Sequence, residues 1–197
     1  MNSRYAYALL GIGILVIIGA LLLGNPQVLS NNQDVSDAMS TLTLTSSAFE
    51  NGATIPAKYT CDGDRLLSPP LSISGVPEGT QAFVLIMDDP DVPKSRRPDG
   101  VFDHWVVYAI PPETREIPEG AVVGALGLNG AGAAAYTGPC PPPEFEPSEH
   151  RYFFKLYAVS GTLNFIKAPT KQELLDAIEG QVLESAELVG RYRRNVE

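Results

Sequence analysis

Three short, mainly apolar runs constrain the fold of this chain more than any other feature of its sequence. They span residues 82–87, 105–110 and 152–159, and turn-forming or charged residues close each one. Apolar runs of about 4–8 residues between turn signals are typical of strands buried on both faces, because buried helices need about ten residues or more. The chain is therefore predicted to be mostly β.

Flanking segments add a half-buried strand and a single helix. Residues 42–45 alternate apolar and polar side chains, which is typical of a strand with one face in the core. Thr170 and Glu173 have the spacing of a capping box, and the apolar residues that follow extend the predicted helix to about Leu183. Residues 190–192 are expected to end the last strand. We therefore predict an all-β class fold, a β-sandwich of two packed sheets with a small C-terminal helical element.

The N-terminal region predicts a membrane segment. Residues 5–23 are apolar and uncharged, and at about 1.5 Å per residue such a helix approaches the roughly 30 Å hydrocarbon core of a bilayer. Arg4 precedes the run and the next basic residue is Lys58, which favours a cytoplasmic N-terminus. We expect 1–23 to be one N-terminal transmembrane anchor, with a cleaved signal segment as the alternative.

The rest of the chain is expected to lie outside the membrane. Residues 24–40 are polar and aperiodic and predict a flexible linker, which leaves 41–197 as one domain. That domain would be membrane-anchored and extracytoplasmic, or secreted if the N-terminal segment is cleaved. The formal net charge is −9, which argues against nucleic acid as a partner and against a surface that lies flat on anionic lipid.

The cysteines fit an exported domain. Cys61 and Cys140 are the two cysteines of the chain, and an even number permits a disulfide outside the cytoplasm. Both lie in predicted loops beside turn residues. We favour a bridge between them, with two buried thiols as the alternative.

The two histidines each follow a short segment rich in aspartate, proline or glycine, and these regions contain most of the candidate functional groups of the chain. Residues 88–93 read Asp-Asp-Pro-Asp-Val-Pro and precede His104, and residues 138–142 read Gly-Pro-Cys-Pro-Pro and precede His150. Prolines stiffen such loops, and an imidazole that an aspartate orients can donate a hydrogen bond to an anion. If the two segments meet in the fold, they form one pocket. The alternative is that the aspartates only accept hydrogen bonds from backbone amides.

Metal binding and hydrolysis are weaker interpretations of the same residues. His104 and His150 with Asp89 and Asp91 could ligate a metal, but their spacing fits no compact metal motif. The loop serines lie in no Gly-x-Ser-x-Gly context that would activate a nucleophile. We therefore expect no cofactor, no metal and no enzymatic activity.

The order of segments resembles the phosphatidylethanolamine-binding protein family, the Raf-kinase-inhibitor-like proteins, in its bacterial and archaeal branch. The resemblance runs from about residue 48 to residue 192. It depends on the joint order of several motifs: Tyr59-Thr60-Cys61-Asp62-Gly63, Ser68-Pro69-Pro70-Leu71, Asp88-Asp89-Pro90-Asp91, His104-Trp105, Gly138-Pro139-Cys140-Pro141-Pro142 and His150-Arg151-Tyr152.

The resemblance implies a Greek-key antiparallel β-sandwich with a small surface cavity for phosphate-like anions or phospholipid headgroups. Some relatives inhibit enzymes, so the alternative function is an inhibitor or interaction protein of a protease or kinase, and export favours the protease. Departures from the family pattern lie at Ile73, at Thr137 and in an acidic stretch, residues 144–149, that is expected to repel anions. The matching motifs assign ligand-binding roles to Asp89, Asp91, His104, Gly138, Pro139, His150 and Tyr152.

Overall fold

The structure is a computed structural model that describes residues 41–194. The predicted anchor and linker, residues 1–40, lie outside the described residues. No helix within the described part of the chain is long and apolar enough to cross a bilayer.

Eight strands and one α-helix form the described part of the chain, with a short 3-10 turn at Ala57–Tyr59. The strands are β1 (Thr43–Thr45), β2 (Leu71–Ser74), β3 (Ala82–Asp89), β4 (Phe102–Ile110), β5 (Glu116–Ile117), β6 (Ala125–Leu126), β7 (Glu149–Val159) and β8 (Val182–Arg193), and the helix α1 (Lys171–Ile178) lies between β7 and β8.

The strands form two antiparallel sheets, which confirms the predicted mostly β fold with one helix. The smaller sheet has the order β1-β2-β5, and the larger has the order β6-β4-β3-β7-β8. Every residue of the central strand β3 is buried. Phe83, Leu85 and Met87 face the main core, while Val84 and Ile86 face a second core that includes buried residues of α1. Burial on both faces explains why the sequence of β3 is continuously apolar.

The capping box of the helix is confirmed, but its predicted end is wrong. The Thr170 side chain accepts from the backbone N–H of Glu173, and the Glu173 side chain accepts in return from the N–H of Thr170. The helix ends at Ile178 rather than near Leu183. Gly180 adopts a φ of +72°, a left-handed conformation that ends helices readily, and β8 begins two residues later.

The antiparallel register brings the candidate aspartate and both histidines to one end of the larger sheet. Asp89 at the end of β3 pairs with Phe102 at the start of β4. The start of β7 lies on the other side of β3, where Asp88 pairs with Phe153. Three strand ends therefore meet, and they carry the aspartate and both histidines that the sequence singled out.

Candidate functional site

A cavity of about 310 Å³ opens where these strand ends meet. Asp89, His104 and His150 line it from the sheet. The loop after β3 forms one wall, and the segment that contains Gly138 forms the other. The two segments that the sequence singled out therefore lie on the same pocket.

Asp89 and His150 form a buried pair. The Nδ1 atom of His150 lies 2.7 Å from Oδ2 of Asp89, and the side chains are 1% and 4% exposed. The other carboxylate oxygen of Asp89 accepts from the backbone N–H of Asp91 at 2.8 Å. Asp89 therefore orients an imidazole and has both oxygens bonded to protein donors. The Nε2 atom of His150 is buried and has no hydrogen-bond partner among the described residues.

His104 is held by the backbone of the opposite wall. Its Nδ1 atom lies 2.5 Å from the carbonyl oxygen of Thr137, and the Thr137 N–H donates to the His104 carbonyl at 2.9 Å. A carbonyl oxygen only accepts, so Nδ1 carries the proton and donates. Burial lowers the pKa of His104 below its usual value. The ring is therefore predominantly neutral at neutral pH, with a lone pair on Nε2.

The second wall is fixed by a disulfide and two backbone hydrogen bonds. Cys61 and Cys140 form the predicted bridge, with their Cα atoms 5.3 Å apart. Gly138 donates its N–H to the Arg65 carbonyl at 2.8 Å, and Cys61 donates to the Pro139 carbonyl at 3.0 Å. A Cβ atom at Gly138 would collide with the backbone carbonyl oxygen of Tyr59, so glycine allows this close approach.

Three of the predicted ligand-binding residues lie outside the cavity lining. The Asp91 carboxylate accepts from the Arg151 guanidinium at 2.6 and 2.8 Å and from its backbone N–H at 2.9 Å. These bonds lower the pKa of Asp91 and fasten the proline loop to β7. Pro139 contributes its carbonyl to Cys61, as described above. Tyr152 is fully buried beneath the imidazoles, with its ring centroid 5.2 Å from that of His104. Asp91, Pro139 and Tyr152 therefore hold the walls and the lining residues in place without lining the cavity themselves.

Three arginines that the sequence analysis did not single out line the cavity: Arg65, Arg96 and Arg97. The Arg97 guanidinium lies 5.3 Å from the centroid of the Phe102 ring and donates to the Gly130 carbonyl at 3.0 Å. The Arg96 guanidinium lies 4.9 Å from the Phe145 ring centroid. One sequence feature could have pointed to them: Arg96 and Arg97 are adjacent and closely follow the proline loop, in a chain that is acidic overall.

The acidic stretch before β7 does not line the cavity within the described residues. Glu144 lies 3.9 Å from Arg96, and Glu149 lies 3.7 Å from Arg191. Within the described residues, no group of three or more His, Cys, Asp or Glu side chains is arranged to hold a metal ion. Cationic and imidazole groups therefore dominate the polar lining.

Comparisons with known proteins agree on one family. The phosphatidylethanolamine-binding protein family model matches residues 45–193. A UPF0098 protein of Chlamydia trachomatis is 45% identical over 153 residues, which cover 77% of this chain and 99% of the relative. A UPF0098 protein of Methanothermobacter thermautotrophicus is 40% identical over 163 residues, with 78% and 99% covered.

Solved structures give the same result. The phosphatidylethanolamine-binding protein homolog CT736 of Chlamydia trachomatis has a TM-score of 0.74 at 44% identity, and the match covers 79% of this chain and 99% of that one. YbcL of E. coli, described as a member of the mammalian PEBP family, has a TM-score of 0.68 at 25% identity, with 78% and 99% covered.

Proposed function

We propose, from the premise that this chain belongs to the phosphatidylethanolamine-binding protein family, that its cavity binds a small phosphate-like anion. The anion can be free or part of a phospholipid headgroup, since the two share the same chemistry. In this proposal the protein binds its ligand and does not convert it.

The observation that supports the proposal most strongly is that three arginines and two histidines line the same cavity. Planar guanidinium forks match the oxygen atoms of phosphate and form charge-assisted hydrogen bonds with them. Both oxygens of Asp89 accept from protein donors, so in this proposal the carboxylate orients His150 rather than contacting the ligand.

The size of the cavity limits what it can enclose. Its volume of about 310 Å³ lies near the lower end of the roughly 300–1,000 Å³ range of small-molecule pockets. A headgroup fits such a volume, and acyl chains do not. A phospholipid would therefore present only its headgroup to the protein.

The cavity lining supports binding rather than catalysis. Nucleophilic catalysis needs an activated hydroxyl or thiol within reach of a base. Among the described residues that line the cavity, the Cys140 sulfur is in a disulfide. The Thr137 hydroxyl accepts from the Asn129 side-chain amide at 3.0 Å. These contacts leave no thiol or activated hydroxyl beside the imidazoles in the described lining.

We further propose that the domain has the family's Greek-key connectivity and is tethered outside a membrane by the apolar segment 5–23. The support for the tether is the length and hydrophobicity of that segment. Truncation before residue 24 should move the protein from the membrane fraction to the soluble fraction, whereas retention in the membrane fraction would contradict the tether.

Isothermal titration calorimetry tests the binding proposal with inorganic phosphate, phosphorylethanolamine and acetate. We expect saturable heat, and we expect Arg96→Gln to weaken phosphate binding about fivefold to tenfold, because one charge-assisted contact contributes about 1 kcal/mol. Arg115→Gln is the matched control, since Arg115 is exposed and outside the cavity lining. Absence of heat with every anion would refute the proposal.

The same titration separates the two sources of the anion. Tighter binding of phosphorylethanolamine than of inorganic phosphate would favour a headgroup, which vesicles that contain phosphatidylethanolamine can then test by cosedimentation. Equal affinities would favour free phosphate or another small monoester.

A further inference from the structure

We propose that this cavity selects oxyanions that carry an acidic proton, such as hydrogen phosphate, over fully ionised anions such as sulfate. The proposal rests on the anion-binding function, and it favours free phosphate over a phospholipid headgroup, since a headgroup phosphate is a diester without an acidic proton. The two histidines would enforce this selection by presenting lone pairs, rather than N–H groups, to the ligand.

The hydrogen bond to Asp89 determines which nitrogen of His150 carries the proton. Nδ1 lies 2.7 Å from Asp89 Oδ2, and Oδ1 of the same carboxylate already accepts from the Asp91 N–H. A carboxylate accepts, so the ring proton lies on Nδ1. In the neutral ring Nε2 is then an acceptor. It is buried without a partner among the described residues, and the ring lines the cavity.

His104 has the same tautomer for a different reason. Its Nδ1–H donates to the Thr137 carbonyl at 2.5 Å, which leaves Nε2 of the neutral ring as an acceptor. Both imidazoles are anchored through Nδ1, and both line the cavity. A fully ionised anion offers the two rings only further lone pairs, so the buried Nε2 atom of His150 stays without a partner in its complex, which weakens binding. A ligand with an O–H group satisfies at least one Nε2 atom directly.

Burial and Arg65 oppose protonation of His104 in the empty cavity, whereas Asp89 and Asp103 favour it. The charged and titratable groups around the rings come from every adjacent element: Arg65, Arg96, Arg97, Asp89, Asp91, Asp103, Arg151 and Tyr152. The negative charge of a bound anion favours protonation of a neighbouring imidazole. Binding at alkaline pH should therefore take up protons.

The test is calorimetry of the full chain with inorganic phosphate and sodium sulfate at pH 6 and pH 8, at constant ionic strength. Each titration is repeated in two buffers of different ionisation enthalpy, because the difference in binding heat between the buffers gives the number of protons taken up. We expect phosphate to bind at least about tenfold more tightly than sulfate at pH 8. Phosphate binding should take up about one proton at pH 8 and fewer at pH 6, where the ligand already carries two.

Two variants assign the effect to the rings. His104→Asn retains an amide donor for the Thr137 carbonyl and removes Nε2, and His150→Gln replaces the protonatable Nε2 by a neutral amide that can donate. Both should narrow the preference for phosphate over sulfate, and His150→Gln should reduce proton uptake. If a variant does not fold, the wild-type titrations still decide the question.

The possible outcomes separate this inference from the proposed function. Phosphate binding without proton uptake, together with equal affinity for sulfate, would overturn the selection and leave anion binding intact. Absence of heat with both anions would refute anion binding itself. A phosphate preference with proton uptake supports both.

Discussion

Removal of the Cys61–Cys140 disulfide should destabilise the domain strongly while leaving the cavity largely formed. The bridge joins residues 79 positions apart. In the chain-entropy model, closing a loop of that length stabilises the folded state by about 4–5 kcal/mol at 25 °C, because the unfolded chain has fewer conformations. That is a large fraction of the roughly 5–15 kcal/mol by which domains are stable.

The local structure explains why the cavity should survive. The Cys61 N–H still donates to the Pro139 carbonyl at 3.0 Å, and the Gly138 N–H still donates to the Arg65 carbonyl at 2.8 Å. These bonds hold the two loops together in the folded state without the covalent link. We therefore expect the double serine variant to bind phosphate within about threefold of the wild-type affinity, a change of well under 1 kcal/mol.

Urea unfolding monitored by the fluorescence of Trp105 measures the effect. With a slope of about 2 kcal/mol per molar urea, the midpoint should fall by about 2 M. Cys61→Ser alone should match the double variant, since either substitution breaks the bridge. A midpoint shift below about 0.5 M would refute the entropy argument, because about 1 kcal/mol or less would then be lost.

Three further predictions concern stability and the supports of the site. Gly138→Ala should lower the free energy of unfolding by about 1–3 kcal/mol, because the new methyl group collides with a backbone carbonyl; an unchanged urea midpoint would contradict this. The Arg151 guanidinium holds the pKa of Asp91 below its ordinary 3.8, so the stabilisation is complete above pH 3.8 and is lost as pH falls through the lowered pKa. The urea midpoints of Asp91→Asn and wild type should therefore converge in acid, and a constant difference down to pH 2 would count against the ion pair. Thr170→Ala removes the capping box and should cost about 1 kcal/mol without altering phosphate affinity, whereas an affinity change would link α1 to the cavity.

The sequence predicts the strands whose burial leaves a clear pattern. β3, β4 and β7 were found because they lie inside the larger sheet between other strands, so their side chains are apolar over long stretches. β5 and β6 have two residues each, which is too short for any periodicity. The first half of β8 is largely exposed, and its apolar residues happen to continue the helical spacing of α1. The non-helical backbone of Glu179 and the left-handed backbone of Gly180 separate the two elements.

The part of the candidate site that lies in short motifs of polar and turn-forming residues was predictable from the sequence. Asp89, His104, His150 and Gly138 lie in such motifs, and the fold brings them to one cavity. The arginines were not predictable in the same way, because the loop after β3 must first fold back. Its turns depend on backbone bonds such as the Gly100 N–H to the Arg97 carbonyl at 2.9 Å. Irregular turns of this kind have no periodic signal in the sequence.

An acidic chain can have a cationic cavity, because a ligand is affected more by the charges near its site than by the net charge of the whole chain. The net charge of −9 opposes contact over a wide surface with polyanions such as nucleic acid. A small anion in a cavity is affected chiefly by charges within about one Debye length, roughly 8 Å at physiological salt. Asp89 is paired with His150 and Asp91 with Arg151, while Arg96 and Arg97 have partners of their own in Glu144 at 3.9 Å and Asp99 at 3.5 Å. Because the arginines line the cavity and Glu144 and Asp99 do not, a bound anion would contact the arginines rather than these two carboxylates.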